Sequence, residues 1–265
     1  MNPLQKTLTR IQSSGEPGLM THLVAGYPNL KASLKLAQTL IAAKTDLLEL
    51  QIPFSDPIAD GPLLAAANQK ALLQQVTLAE VLNLAKKLQG SVPILLMGYC
   101  NSIFKFGLAR FCAQAQQAGV AGLIFPDLPF DEKEGAELIK FCQQFDLALI
   151  QVVSELTPQA RLAKITQKAQ GFIYCVSRLG TTGVTGKFSR NLQQFLQNVR
   201  RLTDLPLAVG FGIKSQQDVH LALDSPAEIA VVGSALMQIW QQKNCTEAQK
   251  LKQVRNFVEE LKVGG

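Results

Sequence analysis

The sequence predicts an α/β fold, a closed (β/α)8 TIM barrel, on three observations. Eight short runs rich in Val, Ile and Leu recur along the 265 residues, at 18–25, 46–52, 93–99, 121–126, 147–153, 171–177, 206–211 and 228–233. They are apolar throughout rather than alternating, which suits parallel strands covered on both faces. Helical periodicity lies between them, and no linker or break in composition divides the chain, so residues 1–265 read as a single barrel domain. An open doubly wound sheet is the competing architecture.

Taken in order, the elements have local causes. A helix is expected before the first strand. After it, Leu30, Leu34, Ala37 and Ile41 form a stripe opened by the N-cap candidate Asn29. Pro53 and Pro57 end the second strand in a stiff loop, and a helical segment near Pro62–Gln75 follows. Leu108, Phe111 and Ala115 make a further helical stripe. Leu251, Val254, Val258 and Leu261 make the last, after Thr246-Glu247-Ala248-Gln249 with capping-box spacing. The second run starts at residue 46 but the third only at 93, and the sixth at 171 but the seventh only at 206. Extra chain therefore follows strands two and six, at the face where barrel active sites are built. Loops of that kind read as lids.

Composition excludes several function classes. With 47% hydrophobic and 17% charged residues the chain can bury a large core and is not of a disordered type. No apolar run is long enough to span a bilayer, and Met1–Lys6 has no signal core, so a cytoplasmic protein is expected. Five scattered cysteines without C-x-x-C spacing read as reduced thiols. With only His22 and His220, an all-protein metal site is not expected. The net charge of +6 comes from Lys and Arg spread along helix faces, without the basic–aromatic blocks of a nucleic-acid footprint. It favours anionic metabolites instead.

Residues 47 to 62, Leu-Leu-Glu-Leu-Gln-Ile-Pro-Phe-Ser-Asp-Pro-Ile-Ala-Asp-Gly-Pro, carry the chemistry. Glu49 lies in an apolar strand, where an ionised carboxylate is costly, and Asp56 and Asp60 lie on the loop beyond. Burial among Leu47, Leu48 and Leu50 should raise the pKa of Glu49, while Asp60 on a wetter loop stays ionised. Glycine-bearing turns follow the last three strands, at Gly180–Gly186, Gly210-Phe211-Gly212-Ile213 and Gly233-Ser234-Ala235. Such turns let backbone N–H groups close on an anion, and Ser234 stands where a helix should begin. A phosphate after strands seven and eight is a habit of this fold.

The combined pattern resembles the tryptophan synthase α subunit family over nearly the whole chain. The resemblance rests on Glu49 through Pro62, above all Pro-Phe-Ser-Asp-Pro-x-x-Asp-Gly-Pro. It rests also on Gly26 with Pro28, Tyr99 with Asn101, Pro126-Asp127-Leu128-Pro129, Ser177 with Gly180 and Thr182-Gly183, Gly210-Phe211-Gly212-Ile213, and Val232-Gly233-Ser234-Ala235. It implies cleavage of indole-3-glycerol phosphate to indole and glyceraldehyde 3-phosphate. Glu49 would be the general acid–base and Asp60 the partner of the indole N–H. His22, Gln51, Tyr99, Thr182 and Phe211 would shape the pocket, Thr182 tying the second lid to Asp60. Gly183, Phe211, Gly212, Gly233 and Ser234 would hold the phosphate. Asp56 and Asp127 would face a β subunit in an α2β2 heterotetramer. Pyridoxal phosphate would belong to that partner, with no cofactor in this chain.

Four places depart from the family pattern, one of them Glu228-Ile229 in place of the typical Asp-Gly before the eighth strand. Gln51 replaces a Gly, His22 an aromatic or aliphatic residue, and Tyr27 an Asp. Gln51 shares the interior face with Glu49, where it would fill space above the substrate or hydrogen-bond Glu49. A histidine in an apolar strand is more often a bonded core residue than a catalyst. Glu228, before the eighth strand, belongs to the barrel floor. Competing readings are another sugar-phosphate barrel enzyme and a regulatory subunit that keeps only phosphate binding.

Overall fold

A computed structural model of the chain describes residues 2–128, 131–176, 190–210, 212–223 and 226–262. Eight parallel strands close on themselves in sequence order, β1 to β8. They are β1 Gly18–Val24, β2 Leu47–Gln51, β3 Ile94–Met97, β4 Val120–Ile124, β5 Ala148–Ser154, β6 Ile173–Val176, β7 Leu207–Gly210 and β8 Ile229–Val232. Each falls on one of the eight apolar runs to within a residue or two at either end, β4 starting one residue before its run and β5 ending one residue after.

Helix α1 (Pro3–Ser14) precedes the barrel. Asn2 caps it by accepting from the Leu4 N–H at 2.9 Å, and Pro3 supplies a preset φ in its first turn. Its Leu4, Leu8 and Ile11 pack into the cluster that holds the barrel interior, with Met20, Leu47, Leu95, Phe172 and Ile229. The helix therefore plugs the floor. Asp46 ties that end together: it accepts from the Leu19 N–H at 2.7 Å and pairs with Arg10 and with Lys262, the last at 2.5 Å. Glu228 adds a second clasp. It binds Arg200 at 2.6 Å and the Leu207 N–H at 2.8 Å, at the floor as expected.

Helix α2 (Leu30–Ala42) starts at Asn29, whose side chain accepts from Ala32 N–H. Its buried face is Ala32, Ser33, Leu36, Ala37 and Leu40. The expected stripe shared only Ala37 with that face; Leu34 and Ile41 lie at its half-buried margin, because the helix is rotated to bring Ser33 under the Gly26 N–H. The long β2–β3 connection holds two helices, α3 (Pro62–Leu73) and α4 (Leu78–Leu88), the latter opened by a Thr77–Glu80 capping box. Short α5 (Cys100–Phe104) follows β3, then α6 (Leu108–Gln117) with Leu108, Phe111 and Ala115 buried as expected. Helices α7 (Lys133–Gln144), α8 (Gln159–Lys168), α9 (Arg190–Arg200) and α10 (Gln216–Leu223) follow β4 to β7. After β8 the chain makes two helices, α11 (Ser234–Trp240) and α12 (Glu247–Lys262). Thr246 and Gln249 form the reciprocal cap of α12, and Val254, Val258 and Leu261 are buried. Most of the extra chain after β6 lies outside the described residues.

Candidate active site

Inward and outward side chains alternate along β2, and this alternation builds the site. Leu48 and Leu50 join the cluster beneath the helices, whereas Leu47 joins the interior cluster. Glu49 and Gln51 share the interior parity with Leu47, Glu49 being 2% exposed and Gln51 fully buried. Glu49 is thus not embedded among all three leucines, as the sequence suggested. Its close neighbour is polar: His22, register partner of Glu49 on β1, presents Nδ1 3.1 Å from Glu49 Oε2. That is hydrogen-bond distance without hydrogen-bond alignment, and no bond of ordinary geometry reaches this buried oxygen.

The other face of the imidazole is occupied as well. His22 Nε2 lies 3.0 Å from Gln51 Oε1, and Gln51 Nε2 donates to Asp60 Oδ2 at 2.6 Å. Gln51 therefore does not bond Glu49 directly; it spans His22 and Asp60. Asn68, fully buried on α3, donates to the same Asp60 oxygen at 3.2 Å and accepts from the Phe54 N–H at 3.0 Å. A continuous chain of side chains thus runs Glu49–His22–Gln51–Asp60–Asn68, joining the two acids.

Electrostatics follow from this enclosure. Burial pushes the Asp60 carboxyl above the usual range and Glu49 adds to the push, while His22, Gln51 and Asn68 pull it back. The loop is less wet than expected: Asp60 is only partly exposed, held by Gln51 of β2 and Asn68 of α3. For His22, burial lowers the pKa, but the close Glu49 carboxylate, the more distant Asp60 carboxylate and the contact with Gln51 outweigh it, leaving a net rise. Tyr174, on β6 beside Glu49, has its phenol pushed far up by burial and by the same two carboxylates, so it remains a neutral O–H donor. Neither Tyr174 nor Asn68 was singled out from sequence. Tyr174 hides in an ordinary apolar run, and the only cue to Asn68 was an amide at a core position of a helix.

Tyr99, 1% exposed at the start of α5, stacks on Phe54 with ring centroids 5.0 Å apart. Its hydroxyl accepts from the Ala59 N–H at 3.0 Å, so it props the loop that carries Asp60. Asp127 accepts from Cys100 N–H at 3.1 Å and caps α5; Asp56 is exposed and takes the Ser55 hydroxyl at 2.5 Å.

Of the anion cradle, Gly212, Gly233 and Ser234 are described, while Thr182, Gly183 and Phe211 lie outside the described residues. Gly212 has φ +66°, with open space where a side chain would stand, so its backbone is free to approach a ligand. Gly233 caps α11 and has no side chain to bond its first-turn N–H groups, and Ser234 is exposed there. A Cβ at Gly233 would come within 3.3 Å of His22 Cβ, so the cradle abuts the residue that contacts Glu49. Among the described residues no group of three or more His, Cys, Asp or Glu could hold a metal ion. Nor is any helix among them long and apolar enough to cross a membrane.

Known proteins resemble this chain along most of its length. The family model described as tryptophan synthase alpha chain covers residues 8–264. The tryptophan synthase alpha chain of Chloroflexus aggregans is 42% identical over 241 residues, 89% of each chain. That of Syntrophotalea carbinolica is 40% identical over 223 residues, 83% of this chain and 87% of its own. Among solved structures, the alpha chain from Legionella pneumophila superposes with a TM-score of 0.85 at 31% identity, covering 99% of this chain and 96% of its own. Tryptophan synthase from Mycobacterium tuberculosis superposes with a TM-score of 0.88 at 27% identity over 98% of each chain. By sequence along almost its full length, and by a barrel of the same build, the chain belongs to the tryptophan synthase alpha chain family.

Proposed function

We propose that the chain cleaves indole-3-glycerol phosphate to indole and glyceraldehyde 3-phosphate by retro-aldol chemistry, with Glu49 as acid–base and Asp60 as acceptor for the ring N–H. The observation that supports it most is a buried glutamate against His22, which itself abuts Gly233 of the phosphate-type cradle and is linked through Gln51 to a second carboxylate.

The reaction needs one proton delivered to indole C3 and one removed from the adjacent glycerol hydroxyl. Protonated Glu49 gives its proton to C3, which leaves a cationic ring. The C3–C1′ bond then breaks, its electron pair restores the indole, and the hydroxyl proton returns to Glu49. The residue ends as it began. A positioned acid–base of this kind is worth on the order of 10²–10⁴ in rate. Asp60 stabilises the cationic ring by accepting from its N–H; Oδ2 already takes two amide donors, which leaves Oδ1 for the substrate. The phosphate would lie against the open N-terminus of α11 and the Gly212 turn, with Thr182, Gly183 and Phe211 completing the pocket.

Membership of the family implies a complex with a β chain, which we take to be an α2β2 heterotetramer in the cytoplasm, with pyridoxal phosphate bound by β alone. Asp56, beside the 72%-exposed Ile58, and Asp127 would face that partner. Steady-state release of indole from indole-3-glycerol phosphate, with and without a β subunit, tests the reading. Turnover by the isolated chain that rises on adding β supports it; phosphate binding without turnover in either condition refutes it.

A further inference from the structure

We propose that His22 is a positioning residue that shares the acid–base proton with Glu49, and that Gln51 sets which ring nitrogen faces the glutamate. The inference rests on the acid–base role given to Glu49. It concerns two buried polar residues that the proposed reaction leaves without a step.

Donor and acceptor roles can be followed from a fixed starting point. The backbone N–H of Phe54 can only donate, so the Asn68 atom that it meets is Oδ1. Asn68 Nδ2 must then point at Asp60 Oδ2, which acts as acceptor. Gln51 meets the same oxygen at 2.6 Å and must offer its NH2 group there. Its Oε1 is left facing His22 Nε2 at 3.0 Å, so Nε2 carries a hydrogen. Nδ1 is therefore the nitrogen that gains or loses a proton, and it faces Glu49 Oε2 at 3.1 Å.

Among the described residues no hydrogen bond of ordinary geometry reaches that buried oxygen, and the other donor beside Glu49 is the Tyr174 O–H. If Nδ1 and Oε2 were both bare, two lone pairs would meet in a dry site, which is costly. One proton therefore resides on the line between them, as Glu49 O–H facing Nδ1 or as imidazolium N–H facing a carboxylate. Moving between these forms breaks one N–H bond and makes one O–H bond, with no change in total charge. The ring can hold the proton close while Glu49 is a carboxylate between its two transfers. The charged or titratable groups around the pair are Glu49 on β2, Asp60 on the following loop and Tyr174 on β6; Gly233, beside the ring on the β8 side, adds none. Burial opposes the imidazolium and the two carboxylates favour it, with a net rise in the His22 pKa.

Two measurements test this. The chain has only two histidines, so ¹⁵N-histidine NMR of the wild-type protein resolves the ring directly, with exposed His220 as internal reference. His22 Nε2 should stay protonated throughout, and Nδ1 should keep its proton to higher pH than an ordinary imidazole. In Glu49→Gln the Nδ1 proton should be absent at neutral pH. A neutral ring protonated at Nδ1 and bare at Nε2 overturns the proposal. Second, Gln51→Met frees Nε2, so the ring can turn its remaining proton to Glu49 once the shared one is lost. The deprotonated state is then less costly, and the alkaline fall in kcat should move down by about one pH unit, the worth of one hydrogen bond. An unmoved limb in a folded Gln51→Met protein also overturns it. The resting-state spectrum needs no turnover, so it can fail while Glu49→Gln still abolishes cleavage, and the reverse can occur too.

Discussion

Replacing Glu49 by Gln removes the proton but almost none of the volume. The side chain is 2% exposed, and His22, 3.1 Å away, is the one imidazole in reach. Water has little access with which to take over the transfer. The amide NH2 of Gln can donate to His22 Nδ1, so the strand need not rearrange. Folding stability should change by less than about 1 kcal/mol, a shift of no more than about 4 °C in Tm for a chain of this size. The rate should fall by about 10²–10⁴, the ordinary worth of a positioned acid–base, equal to roughly 3–5.5 kcal/mol of barrier. Because the cradle at Gly212 and Gly233 is made of backbone, KM should move less than about threefold, and kcat carries the loss. The assay is indole release under saturating indole-3-glycerol phosphate, with calorimetric titration of a glycerol-phosphate analogue and a thermal melt alongside. Retention of more than about a tenth of kcat in a folded protein would show that Glu49 is not the acid–base.

Four other outcomes are expected. Gly233→Asp puts a carboxylate at the mouth of the α11 cradle and a Cβ within 3.3 Å of His22 Cβ, so analogue affinity should drop by about tenfold or more; unchanged affinity in the titration would remove the cradle from the mechanism. Asp60→Asn should raise Tm at neutral pH while lowering kcat. The folded pKa of Asp60 lies above its ordinary value of 3.8, so its ionisation costs stability as pH rises through that value and beyond; the advantage of Asn should vanish on acidification below it, as paired melts across pH would show. Asp46→Ala strands the buried Leu19 N–H and unpairs Lys262 and Arg10, which should cost about 2–4 kcal/mol in denaturant titration with little effect on the kcat of the folded fraction. Tyr99→Phe removes the acceptor for Ala59 N–H and loosens the Asp60 loop, so kinetics should show a few-fold rise in KM with Tm nearly unchanged.

Sequence by itself determined the barrel. Eight strands covered on both faces must each be apolar at every position, a pattern local enough to read one run at a time. It also marked Glu49, Asp60 and the glycine turns, because a carboxylate in an apolar strand and Gly at strand ends break the background in which they sit. Only the tertiary structure decided what surrounds them. The quarter-turn of α2 that buries Ser33 rather than Leu34, and the lie of α3 that sets Asn68 against Asp60, rest on side-chain bonds from a helix back to the loop before it, which no apolar period marks. The exchange of Leu48 for His22 as the effective neighbour of Glu49 comes instead from the pairing of β1 with β2. Periodicity reports which side of an element is apolar; it carries no information about which polar atom on one strand lies opposite another. That pairing is set by barrel register, and here register makes His22 and Gln51 a bridge between the two acids.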